Sequence, residues 1–159
     1  MSPFFYTELV CLRIPLCLNI ICMVRIVGFI SLVESSFFGI KTVSEKFVNE
    51  AYNAYSLGDA KKAGAFFESA FATSAEKPYG QLDTNSLYNS GFTAWSVGDY
   101  GKAKTLFEQC LGYNYLGEDG EVYAKLADCA THIDTSKAGA ATAKEYLEQG
   151  FAKFPESQS

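Results

Sequence analysis

Ser56-Leu57-Gly58-Asp59-Ala60-Lys61-Lys62-Ala63 returns 40 residues later as Ser96-Val97-Gly98-Asp99-Tyr100-Gly101-Lys102-Ala103, and Phe-Glu follows each copy at the same offset, as Phe67-Glu68 and Phe107-Glu108. A unit recurring at such a period is one supersecondary element that cannot bury its apolar face alone and stacks on copies of itself. Before the first Gly-Asp, Phe47, Ala51, Ala54 and Tyr55 recur at helical spacing; after it, Ala63, Phe66, Phe67, Ala70 and Phe71 do so again. The glycine can take the positive φ that closes one helix, and the aspartate can accept from the free amides that open the next. A helical hairpin is therefore predicted.

The second copy repeats the logic with Leu87, Gly91, Ala94 and Trp95 before the turn and Ala103, Leu106, Phe107, Cys110 and Leu111 after it. Small residues fall at equivalent places, Ala51 with Gly91 and Ala63 with Ala103. They mark the points where helices cross most closely, since the interaxial distance follows the size of the contact residues. A third unit is looser. Val122-Tyr123-Ala124-Lys125-Leu126-Ala127 opens a helix that ends near Ile133, Asp134-Thr135-Ser136-Lys137 reads as a turn with a short insertion, and Ala143, Leu147 and Gly150 lie 40 residues beyond Ala103, Phe107 and Cys110. Pro155 ends the last helix. Pro78-Tyr79-Gly80, Asp83-Thr84 and Glu118-Asp119-Gly120 mark the linkers, the last running on into Glu121 to cap the next helix.

The expected organisation is an apolar segment over 1–42, a repeat region over 43–155 made of units at about 44–76, 84–115 and 121–155, and a short tail over 156–159. The chain joins two compositions. Before residue 41 the only charges are Glu8, Arg13, Arg25 and Glu34; the rest of the 13 basic and 18 acidic residues come later. The stretch 9–33 is strongly apolar, but its longest uncharged run, 14–24, is about half of the ~20 residues that a bilayer span takes. That run, with Arg13 before it, suits the core of an export signal. A second candidate signal begins at Met23, with Arg25, the apolar run 26–33 and Glu34-Ser35-Ser36, which makes residues 1–22 a mis-assigned start. Export to a periplasm, membrane association through 9–33 and an extra folded helix stay open, with a cytoplasmic location if the segment is not a signal. Cys11, Cys17 and Cys22 have no CxxC spacing, and Cys110 and Cys129 fall at helical packing positions; no disulfide is called for.

The net charge of −5 and the absence of a basic run exclude the footprint of a phosphate-backbone binder, so no nucleic acid is expected. His132, the one histidine, has Asp128 a turn before it and Cys129 alongside, but no nucleophile or metal set accompanies them, and a surface helical histidine is the expectation. Glu118-Asp119-Gly120-Glu121 lacks the alternating spacing of a calcium loop. Neither catalysis nor a cofactor or metal is expected.

A small residue, a Gly-Asp turn, Tyr100 just after it, Ala103, Phe107 and Cys110: this pattern closely resembles tetratricopeptide repeats, three of them over about 44–155, with a period above the usual ~34. The resemblance implies an all-α fold, a right-handed α-solenoid of antiparallel hairpins whose first helices line a concave groove for a peptide or protein segment. It also implies the lining positions: Val48, Tyr52 and Tyr55 from the first unit, and Tyr88, Phe92 and Trp95 from the second. Five of these six are aromatic. Large rings of this kind serve as binding anchors, and they serve equally to pack neighbouring helices. The family's carboxylate-gripping set of Lys, Asn and Arg is only partly represented, by Asn89 and by Lys125 in place of a later basic residue, while Val48 and Tyr52 stand where Lys and Asn belong. No such clamp is expected. A second expectation is self-assembly, for example as a homodimer, because the final helix carries Ala143, Tyr146, Leu147, Phe151 and Phe154 with nothing after it to cover them.

Overall fold

The computed structural model describes residue 39 and residues 41–76 and 81–155. These form α1 (41–56), α2 (Ala60–Ala75), α3 (Thr84–Ser96), α4 (Tyr100–Gly112), a short 3-10 turn at Glu118–Gly120, α5 (Glu121–Ile133) and α6 (Lys137–Lys153), with no strand among the described residues. Each helix packs on the next in sequence. The apolar segment expected over 1–42 and the tail over 156–159 lie almost wholly outside the described residues. Among the described residues no helix is long and apolar enough to cross a membrane.

The two Gly-Asp turns are built alike. Gly58 and Gly98 both sit at φ +82°, and the amides of Asp59 and Asp99 reach back to the carbonyls of Ala54 and Ala94 at 2.9 and 3.0 Å. This is a Schellman closure in which the aspartate, as the residue past the glycine, also caps the next helix. Asp59 accepts from the Lys62 amide at 3.0 Å and Asp99 from the Lys102 amide at 3.1 Å. Three residues thus reverse the chain, and α1 runs back along α2 with Ser44 Oγ on the Ala70 carbonyl and the Phe47 ring near Phe66.

The crossing points are the small residues. Ala51, Ala63 and Ala103 are fully buried, and a Cβ added to Gly91 would come within 2.9 Å of the Phe107 ring. Gly64 and Gly150 do the same work, Gly64 under Thr93 and Gly150 against Tyr123. The main core joins α3, α4 and α5 through Leu87, Leu106, Phe107, Cys110, Val122, Leu126 and Cys129; a smaller one joins α1 and α2 around Phe67. Burial contributes ~1.5–3 kcal/mol for each large side chain, so Phe107, Leu87 and Leu126 dominate the middle of the stack.

The third unit differs from its expectation in three ways. Its turn holds no insertion: 134–136 is as long as 57–59 and 97–99, and the extra residues form an additional first turn of α6. That turn is closed without an αL glycine. Ser136 caps α6 through the Ala138 amide, and Gly139 lets the α6 backbone pass the Asp134 carbonyl, which a Cβ there would meet at 1.8 Å. The linker before α5 supplies no side-chain cap, since the residue preceding α5 is Gly120 in the left-handed region. Third, the apolar side chains of α6 do not form one bare face. Ala143 is buried against Ala127 and Ala130, Tyr146 reaches into the core and donates to Glu108, and Leu147 and Phe151 remain exposed. The 36-residue offset between buried positions of α3 and α5 (Leu87 with Tyr123, Gly91 with Ala127) against 40 between α4 and α6 explains why the sequence of the third unit reads as carrying an insertion.

Candidate functional site

Aromatic side chains of α1 and α3 meet on one face of the stack, and α5 joins them through Lys125 and Asp128. Tyr52 lies edge-on to Phe67 with centroids 5.3 Å apart, its hydroxyl accepts from Asn89 Nδ2 at 3.3 Å, and Tyr55 faces Phe92 at 6.5 Å. Together with Thr93 these residues line a small, open apolar cavity of about 130 Å³. Its floor is rigid: Phe67 and Thr93 are buried, and the Thr93 hydroxyl is satisfied by the Ser90 carbonyl. Its walls are open to solvent, with Tyr52 at 55% and Tyr55 at 44% exposure.

The row continues across α3 to α5. Phe92 and Trp95 are 5.7 Å apart, and the Lys125 ammonium lies 3.6 Å from the Trp95 ring centroid and 5.1 Å from that of Phe92. The Trp95 indole N–H donates to one oxygen of Asp128, whose other oxygen faces His132 Nε2 at 3.6 Å. His132 in turn stacks on Tyr100 with centroids 4.1 Å apart and planes 4° from parallel. The histidine is exposed, as expected of it, but it is held from two sides. Carboxylate, imidazole and phenol here brace an indole. Among the described residues, no group of three or more His, Cys, Asp or Glu side chains is arranged to hold a metal.

Of the seven residues singled out in the sequence, Tyr52, Tyr55, Asn89 and Phe92 surround one cavity and Trp95 adjoins it. Tyr88 and Val48 do not join them. The Tyr88 ring packs on Phe107 and Tyr115, and burial, reinforced by a hydrogen bond with Glu121, pushes its phenol well above the usual range. Val48, one turn before Tyr52 in the middle of α1, is half-buried and lines a different surface depression with Lys41, Ser44 and Leu82. Asn89 and Lys125 are committed to Tyr52 and to the indole, not to a common ligand point. The sequence reading missed Phe67, which comes from a second helix, and Asp128, because its pairing with Trp95 depends on the 36-residue offset of α5.

A wider cavity of about 660 Å³ lies at the end of the stack, lined by Glu118, Glu121, Tyr123, Leu147, Phe151 and Phe154 among others. The two described cysteines are free and buried, and burial raises their thiols, to about 12 for Cys110 and about 11 for Cys129. Comparison of the chain with protein-family models, with curated proteins and with solved structures gives no match.

Proposed function

We propose that this protein is a non-enzymatic interaction module, a right-handed solenoid of tetratricopeptide-like hairpins that binds an extended or helical protein segment on the face made by α1, α3 and α5. The observation that carries the reading is the convergence of Tyr52, Tyr55 and Phe92, from two different hairpins, on one cavity with a buried floor. Exposed rings over a packed base give large contact area for little lost side-chain freedom, which is how binding anchors are made. The repeated Gly-Asp hairpins support the family resemblance. Export or membrane attachment through 9–33 belongs to this proposal as the setting in which the module acts.

The test is recovery of the native protein with whatever polypeptide accompanies it, repeated with Tyr55→Ser/Phe92→Ser. Loss of the partner with helicity and melting retained is the expected result; a partner held equally by the double variant overturns the reading. A second reading, self-assembly through α6, rests on Leu147 at 38% and Phe151 at 47% exposure beside the end cavity. Light scattering over a wide concentration range decides it, since a strict monomer removes it.

A further inference from the structure

Resting on that reading of the groove, we infer that the bound segment places one Asp or Glu side chain within a few residues of an apolar anchor, and that it is read internally, without a free chain end. The cavity of about 130 Å³ between Tyr52, Tyr55 and Phe92 has room for a single side chain, and its buried floor of Phe67 and Thr93 makes that side chain uncharged. Three aromatic rings around one small space also suit a methylated or quaternary ammonium. Lys125 decides against that ligand. Its ammonium already covers the Trp95 ring and lies 5.1 Å from the centroid of Phe92, so a second cation on Phe92 shares that ring with a like charge.

The same lysine supplies the positive half of the recognition. Among the described residues it makes no ion pair: Asp128, one turn along α5, is engaged by Trp95 on one oxygen and by His132 on the other, and Glu121 is drawn to Tyr88. A cation resting on an aromatic face beside an apolar socket is complementary to one carboxylate next to one apolar side chain. It is not complementary to an acidic tract, which the net charge of −5 repels at long range. Nor does it need a terminal carboxylate, because among the described residues Lys125 is the one cation beside the socket, and Asn89 and Thr93 in its lining already bond to Tyr52 and to the Ser90 carbonyl.

The chain contains a single tryptophan, so drawing Lys125 away from the indole is visible as a change in intrinsic fluorescence. The probe is a set of peptides acetylated and amidated at their ends, with Leu or Phe at one position and Glu, Gln or Lys at each spacing of one to four from it in a Gly-Ser background. Leu-Glu and Phe-Glu peptides at a preferred spacing are expected to titrate Trp95 emission saturably and to bind about three- to fivefold more tightly than their Gln analogues, with the Lys analogues weakest, a preference that salt reduces. Lys125→Gln, checked for unchanged helicity, is expected to erase the Glu preference while leaving dependence on Leu or Phe; Lys125→Arg is expected to retain it. Equal binding of Glu and Gln peptides, or a Glu preference that survives Lys125→Gln, overturns the inference and leaves the groove standing. Absence of any Leu- or Phe-dependent binding, or a cavity filled by a second copy and seen as a dimer, overturns the groove with it.

Discussion

Adding one methyl group to Gly91 and one to Gly101 should move stability in opposite directions, although both glycines are helical. On α3 the new Cβ of Gly91→Ala would lie 2.9 and 3.1 Å from two carbons of the Phe107 ring and 3.3 Å from Leu106 Cβ. Phe107 has little room to yield, being fully buried with the Tyr88 ring tilted against it at 5.6 Å between centroids. Overpacking of this kind costs ~1–3 kcal/mol. Against it stands the gain of ~1 kcal/mol from replacing a helical glycine by alanine, leaving a net loss of about 1 kcal/mol. On α4 the Cβ of Gly101→Ala meets nothing within 4 Å, so the propensity gain survives, reduced to ~0.5 kcal/mol by its place in the first turn. For a unit of this size each kcal/mol shifts the melting midpoint by ~3–5 °C, which sets the two variants ~5–7 °C apart. Thermal and urea unfolding by far-UV circular dichroism reads the difference, with the urea slope checking that the unfolded surface is unchanged. In the Gly91→Ala background Phe107→Leu should cost less than it does in the wild type, because the two sites share one space. A Gly91→Ala protein as stable as the wild type would refute the close approach of α3 to α4, and with it the fixed position of Phe92, the next residue along α3.

Gly98→Ala, at φ +82°, should lose ~1 kcal/mol and Gly98→Asn less, since Asn tolerates the left-handed region; equal stability of the alanine variant would mean that the turn is not closed this way. Cys110 and Cys129, with thiols raised to about 12 and about 11 by burial, should label with a disulfide reagent at mildly alkaline pH only on the timescale of unfolding, as followed by mass-mapped peptides; rapid labelling would place them at the surface. Burial pushes the Glu108 carboxyl up, but hydrogen bonds from Lys104 and Tyr146 outweigh it and hold the group below its ordinary range. The stability it contributes is therefore present above the ordinary carboxylate range and is lost as pH falls through the lowered value. Tyr146→Phe should destabilise by a few tenths of a kcal/mol near neutrality, Glu108 being well exposed, and the gap to wild type should close in acid; a gap that widens in acid would contradict the assignment.

The helices and two of the three turns were legible because their causes are local. Gly58-Asp59 and Gly98-Asp99 carry both the positive φ and the capping carboxylate within two residues, and apolar spacing on either side sets which face is buried. The third turn carries neither sign, and its closure rests on Gly139 passing the Asp134 carbonyl, a contact that spacing alone does not announce. The cavity was legible in part. Tyr52, Tyr55, Asn89 and Phe92 share helix faces that a 40-residue repeat brings into register, whereas Tyr88 shares the face by count and yet turns to Phe107 and Tyr115.

By itself the sequence determined what depends on neighbours a few residues apart: where the helices flanking the two Gly-Asp turns stop and start, which small and apolar positions of those helices are buried, and that two hairpins repeat. Only the tertiary structure decided which side chains meet across hairpins, because that depends on the offset at which one hairpin lies on the next. The offset of α5 is set by the α4–α5 linker and by the packing of Val122 and Leu126 into the central core. It brings Asp128 to the Trp95 indole and Lys125 over its face, and so turns an aromatic row into a charged one.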